Sequence, residues 1–399
     1  MRILCVAQAY FPYLATGGLA VTVHGLAQEL ARRGHSLTVL TPDLGPSDWE
    51  RLSLAPDHGP YGLCYTENGV KAIYLRTRIR HRALTVNPSA LRFLRDSLTD
   101  FDLAHVFGLY DFLGPVVGRL CARRAIPYFV EPMGMYVPMD RNLLAKRAWH
   151  VVLGSSLCRN SSRMIATCDM EKDQFVSGGI PREKILLRYN GIDQAFTSGL
   201  PLRGTFRAKH SIPVDEPLLL FLSRLIPRKG VDILIQAFAK ACPSRGRLVI
   251  AGPEGHGGYE EALKRCAQEH GVSSRLIFTG PIFDSERLSA FVDSDLFVLP
   301  SRYENFGNVV AEAIACDVPV VVSRQCGIHT LVEGRAGLVT EANPHALSAS
   351  LLTLLTDAAL YSRMKGGCRE VSAELSWSNL AAQMEAHYEQ VLAEARNSS

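Results

Sequence analysis

Ser301-Arg302-Tyr303-Glu304-Asn305-Phe306-Gly307-Asn308-Val309-Val310-Ala311-Glu312-Ala313 is the stretch that decides how this chain is read. The run Asp295-Leu-Phe-Val-Leu-Pro300 before it predicts a strand, and residues 309–316 after it predict a helix. Glu304 is then expected on the loop at the strand's carboxyl end, and Glu312 inside the helix that the loop opens. Gly307 has no Cβ and lets the backbone approach a ligand. The N–H groups of Asn308, Val309 and Val310 are expected to form an anion-binding helix start. One carboxylate at the loop, another a turn deeper and a phosphate between them suit a nucleotide-linked sugar. Spacing alone also allows a surface acidic pair on an ordinary strand–loop–helix unit.

The same alternation of short β-rich runs and helix-length segments extends both ways along the chain. Strands are predicted at residues 2–7, 36–41, 71–75, 103–107, 128–130, 163–166 and 184–188, then at 218–223, 247–251, 275–279, 295–299 and 319–323. Helices are predicted between them, at 21–33, 231–241, 259–269 and 285–292 among others. This pattern implies an α/β fold of parallel sheets covered on both faces. At 399 residues the chain suits two domains. The boundary is placed after Asn190-Gly-Ile-Asp193, before an irregular stretch at 194–213. Two doubly wound, Rossmann-like domains are expected, 1–193 and 194–375, followed by a terminal helical segment at 376–399. Open sheets of this kind bind ligands beyond the carboxyl ends of their strands, so a cleft between two of them is the expected active site.

Other residues meet that condition. Ser223-Arg224-Leu-Ile-Pro-Arg-Lys229-Gly230 follows a predicted strand; Arg224 offers a planar fork of donors and Lys229 a point charge, which together suit a diphosphate. A basic turn capping the next helix is the alternative. Gly17-Gly18 joins the first strand to the first helix and permits close backbone approach, but G-x-G-x-x-G is not matched. His105 lies on a strand-like run, where a hydrogen-bonded core residue is a commoner role than a catalyst. Residues 76–82, Arg-Thr-Arg-Ile-Arg-His-Arg, read as a basic loop for an acceptor phosphate or anionic lipid, or as a solvated surface.

Composition narrows the classes. The net charge of +4 is uneven, residues 1–190 holding 23 Lys and Arg against 16 Asp and Glu. Ten cysteines stand singly without a C-x-x-C pair, which argues for reduced thiols and against zinc. No run of about 18 apolar residues occurs, and Met1–Ala7 reads as a first strand rather than a leader. A cytoplasmic location, with peripheral contact at the inner face of a membrane, is the expectation. No nucleic-acid-binding module is recognisable.

Glu-Asn-Phe-Gly-Asn-Val-Val-Ala-Glu-Ala from Glu304 to Ala313, continued by Cys316-Asp-Val-Pro-Val-Val-Val322, resembles the Glu-x7-Glu motif of the retaining nucleotide-sugar glycosyltransferases of family 4, which have the GT-B fold. Arg224 and Lys229 resemble that family's diphosphate-binding pair. The resemblance implies transfer of a hexose from a UDP- or GDP-sugar to a hydroxyl of a glycan or lipid-linked acceptor, with retention, in polysaccharide or glycoconjugate synthesis. No cofactor or metal is required beyond the nucleotide-sugar co-substrate. It also implies roles: Arg224 and Lys229 on the diphosphate, Glu304 with Asn305, Phe306, Gly307, Asn308 and Val309 on the donor sugar and phosphate, and Glu312 on the ribose. The edge at Pro281 and Ile282 would hold the base, Gly17 and Gly18 would lie near phosphate and acceptor, and the last helix would cross back onto the first domain. The chain departs from the family at Met133, where a His or Arg often stands; Glu131 and His105 are the nearest polar residues in sequence. A nucleotide-sugar epimerase of the same architecture and a catalytically inactive sugar-nucleotide-binding subunit are the rival readings.

Overall fold

The computed structural model describes all residues except 15–16, 82–83, 140–141, 194–195, 243, 256 and 398–399. It separates into two compact units, Met1–Gly191 with Trp377–Ser399, and Ile192–Ser376. The division thus falls two residues before Asp193, and Gln194 lies outside the described residues.

In the first unit the described strands form a nine-stranded sheet in the order Ile185–Leu187, Arg163–Ala166, Tyr128–Glu131, Leu103–Phe107, Arg2–Ala7, Ser36–Pro42, Val70–Leu75, Gly62–Glu67 and Asp57–His58. Seven of these run parallel, and the last two are antiparallel additions at one edge. The central strands are buried almost throughout, which is why they read as unbroken apolar runs. Gly62–Glu67 was not expected; its residues are mostly only half-buried, so it lacks that signal. Helix Trp377–Asn397 belongs to this unit and packs on helix Gly18–Arg32. It buries Leu380, Ala381, Met384, Tyr388 and Val391, one stripe at helical spacing. The Trp377 ring fills the space beside Gly25 and Gly191, where an added Cβ would come within 2.3 Å of it.

The second unit holds a six-stranded parallel sheet in the order Leu276–Gly280, Arg247–Ala251, Leu218–Leu222, Leu296–Leu299, Val320–Ser323 and Gly337–Thr340. Counted along the chain this is 3-2-1-4-5-6, the doubly wound order in which the direction of winding reverses between strands one and four. Leu219 pairs with Leu296 and Leu220 with Phe297 at that reversal. Gly337–Thr340 was not foreseen, being short and opened by a glycine, and the stretch expected to be irregular contains helix Thr205–Lys209. A parallel bridge between Ile192 and Ser376 sets the outgoing and returning segments side by side.

Candidate functional site

The reversal point of the second sheet carries the charged residues. The loop after Leu218–Leu222 begins at Ser223, and Leu225 is laced to the neighbouring loop by its N–H on the Pro253 carbonyl at 2.9 Å and by the Gly255 N–H on its own carbonyl at 3.0 Å. Arg224 is exposed, and its guanidinium has no hydrogen-bond or ion-pair partner among the described residues. Lys229 closes the turn Pro227–Lys229, is buried, and forms an ion pair with Glu304. Gly230 follows at φ 70°, with its Cα so close to the Pro300 carbonyl that a Cβ would lie 2.1 Å from the oxygen. Arg302 ties the two loops together. Its N–H bonds the Arg228 carbonyl at 2.8 Å, its Nη1 the Pro227 carbonyl at 2.5 Å, and its guanidinium the two Asp232 oxygens at 3.0 and 2.6 Å.

Glu304 lies on the loop after Leu296–Leu299. Its N–H bonds the Gln325 carbonyl at 2.9 Å and its carbonyl accepts from Gly327 at 3.0 Å, while the Ile328 N–H bonds the Phe306 carbonyl at 2.9 Å. The loop after Val320–Ser323 therefore holds the Glu304 loop through its backbone. Gly307, at φ 102°, precedes helix Asn308–Ala315, and a Cβ there would meet the Cys326 Sγ at 2.8 Å. One expectation needs correction: the Val310 N–H is not available to an anion, because it bonds the Gly307 carbonyl at 2.8 Å. The turn tightens at the helix start. Glu312, one turn into the helix, is paired with Arg287. Burial pushes its carboxyl up to about 7 against the pull of Arg287, with Asp193 adding to the rise. Pro281 is exposed and Ile282 buried, directly after Leu276–Gly280; the Gly252 N–H bonds the Gly280 carbonyl at 2.9 Å.

Sequence reasoning missed Arg287, Arg302 with Asp232, and the loops at 252–255 and 324–328. The glycine-rich Gly252-Pro-Glu-Gly255 at a strand end was an available signal. No spacing rule links Arg287 to Glu312, since they sit on different helices.

The first unit has its own reversal point, between Arg2–Ala7 and Leu103–Phe107. Gly17 and Gly18 stand there, at the start of helix Gly18–Arg32, with open space beside Gly17. His105 and Glu131 are completely buried. The His105 Nδ1 bonds the Tyr388 hydroxyl at 2.7 Å and its Nε2 lies 3.4 Å from Glu131 Oε2; burial lowers its pKa against the pull of Glu131. Glu131 is ion-paired to buried Arg188; burial alone would raise its pKa, but Arg188 and His105 hold it below the usual carboxylate range. Neither residue presents a polar group at the surface. Met133, half-buried at φ 54°, packs on the core of the unit. The next residue, Gly134, donates its N–H to Glu171 Oε1 at 2.5 Å. The basic run is not simply a loop: Ile79–His81 pairs antiparallel with Leu84–Val86, Arg80 is exposed on this strand pair and Arg76 and Arg78 are exposed just before it, while Arg82 lies outside the described residues. Among the described residues no group of three His, Cys, Asp or Glu side chains is placed to hold a metal. None of the described helices is long and apolar enough to cross a membrane.

Two family models match. Residues 17–191 match the glycosyl transferase 4-like domain, and residues 203–370 match glycosyl transferases group 1. The chain is similar to D-inositol 3-phosphate glycosyltransferase of Corynebacterium glutamicum, at 34% identity over 95% of this chain and 93% of that protein. It is similar to the enzyme of the same name from Acidothermus cellulolyticus, at 31% over 96% and 88%. Among solved structures, HepE of Anabaena in complex with UDP superposes with a TM-score of 0.75 at 19% identity, covering 98% of this chain and 100% of that one. Sucrose-phosphate synthase of Thermosynechococcus elongatus gives 0.73 at 20%, covering 99% and 100%. Both share the two-domain GT-B fold.

Proposed function

The chain belongs to the glycosyltransferases with a 4-like first half and a group 1 second half, and on that premise we propose that it moves a hexose from a UDP- or GDP-sugar to a hydroxyl of a glycan or lipid-linked acceptor, with retention and without a metal. The observation that supports this best is the join of two strand-end loops at the reversal point of the second sheet, where Lys229 meets Glu304, with the exposed Arg224 five residues earlier in the same strand-end segment. In this reading Arg224 and Lys229 face the diphosphate, whose charge grows as the bond from the anomeric carbon to phosphate oxygen breaks; cations already in place stabilise that change. The acceptor oxygen bonds the anomeric carbon from the same face, and its proton passes to the leaving phosphate. The protein acts by position and field rather than as a nucleophile. Glu304 orients the sugar and steadies Lys229, Glu312 accepts from the ribose, and the backbone at Pro281 and Ile282 meets the base.

The first half of the chain serves the acceptor in this proposal. The relatives named above take an inositol phosphate as acceptor by their names, and the exposed Arg76, Arg78 and Arg80 suit a phosphorylated acceptor here too. The test is incubation with UDP- and GDP-hexoses, followed by analysis of released nucleotide and of the anomer formed on supplied acceptors. Slow donor hydrolysis and an axial-to-axial or equatorial-to-equatorial product are expected. An inverted product would remove the retaining assignment, and tight nucleotide binding without any turnover would leave an inactive binding subunit.

A further inference from the structure

We propose that the helical stretch from Leu143 to Arg159 in the first unit is a docking face for an anionic bilayer surface. The segment is continuous, passing from Leu143–Trp149 through a π-turn at His150–Gly154 into Ser155–Arg159. Its outward face is apolar. Leu144 is 80% exposed, Val151 74% and Val152 71%, with Leu143 also exposed. Leu144 and Val151 are seven residues apart and so lie above one another, with Ala148 between them on the same face. Phe112, itself exposed, packs edge-on against Trp149 with ring centroids 4.6 Å apart. Single exposed apolar side chains need no explanation, but several on one helix face mark a surface that meets something.

Charge selects the occupant. From Leu143 to Arg159 the sequence contains three Arg and Lys and no Asp or Glu. Arg147 and Arg159 are exposed, and neither guanidinium has a partner among the described residues. A second copy of the chain would bring like charges together on this face. An anionic bilayer would take the Leu and Val side chains at its acyl boundary and the guanidinium groups at its headgroups, the arrangement of an interfacial amphipathic helix. The proposal deepens the lipid-linked branch of the acceptor reading but stands on its own surface, since vesicle binding needs neither donor nor turnover.

The experiment is co-sedimentation of the full chain, without nucleotide, with vesicles of phosphatidylcholine alone and of phosphatidylcholine with phosphatidylglycerol. Binding is expected only to the second, weakened by salt as surface charges are screened. The double variant Leu144→Ser with Val151→Ser is expected to lose at least tenfold in vesicle affinity while its circular dichroism and donor hydrolysis stay unchanged. Arg76→Ala with Arg78→Ala should leave most of the binding in place. The proposal is overturned by equal binding to both vesicle types, by loss of binding in the Arg76 and Arg78 variant alone, or by a concentration-dependent dimer that the Leu144 and Val151 changes abolish.

Discussion

The two sheets of this protein spend their charges differently. At the carboxyl edge of the second, Arg224 is exposed with no hydrogen-bond or ion-pair partner among the described residues, and Lys229, itself buried, pairs with the partly exposed Glu304. In the first, the ionisable groups His105, Glu131 and Arg188 are wholly buried and ion-paired with one another, with Tyr388 of the last helix bonded to His105. An exposed cation such as Arg224 can meet a ligand directly, and Lys229 through its partly exposed partner Glu304; a cation sealed against a fully buried carboxylate, as Arg188 is against Glu131, holds the fold. The same residue types therefore serve stability in one unit and, on our reading, chemistry in the other.

The sharpest way to break this contrast is Arg188→Ala. It leaves the Glu131 carboxylate buried without its cation, and breaking such a pair costs about 3–5 kcal/mol. Chemical denaturation should show a loss of that order, with donor affinity retained in the folded fraction. Near-native stability would mean that the buried cluster is not what holds Tyr388 and the last helix. Arg224→Ala is the mirror experiment. Turnover should fall by about a hundredfold, as for loss of a transition-state charge stabiliser, while the melting temperature stays put because the exposed guanidinium makes no hydrogen bond or ion pair among the described residues. Unchanged turnover would remove Arg224 from the diphosphate.

Glu312 tests a case between these extremes, a buried carboxyl with a proposed ligand role. Its folded pKa of about 7 lies above the ordinary carboxyl value. The stability this contributes is complete below about 4.5 and is lost as pH rises through about 7. Donor binding should run the other way if ribose hydroxyls donate to the carboxylate. Between pH 8 and pH 6 the ionised fraction falls about tenfold, and the donor KM should rise with it. Glu312→Gln should raise the KM at pH 8 and flatten that pH dependence, while Glu304→Gln should chiefly lower turnover. A KM that is flat in pH for the native chain would take Glu312 off the ribose.

How far the sequence discloses these sites follows from how local each one is. Glu304, Gly307 and Glu312 lie within nine consecutive residues, and a strand and a helix frame them, so their placement is visible in a single window. Lys229 and Arg224 are visible for the same reason, each following an unbroken apolar strand. What is not visible is pairing between windows: Lys229 with Glu304, Arg287 with Glu312, Arg302 with Asp232. Each depends on the order of strands in the sheet, which hydrophobic periodicity does not encode. Nor does periodicity disclose whether His105 and Glu131 face a ligand or one another, because a strand buried on both faces shows no alternation.

Met133 is the position at which the chain leaves its family's pattern, and it carries the smallest expected effect. Its backbone at φ 54° is unusual for a residue with a side chain, and the thioether is packed on the core. The neighbouring charges are buried and paired, so no polar side chain from Glu131 or His105 stands in for a histidine there. Yet the Gly134 N–H is fixed by Glu171, which also accepts from the Thr167 N–H and hydroxyl at 2.8 Å, so this strand-end loop is held by hydrogen bonds that do not involve residue 133. An active enzyme built this way positions its acceptor without a charged side chain at 133. Met133→His should then leave transfer unchanged or lower, since an imidazole would have to enter an apolar contact in a left-handed backbone. A large gain in transfer to acceptor, at constant donor affinity, would instead show that the native site lacks a group it needs, and would favour the inactive subunit over the enzyme.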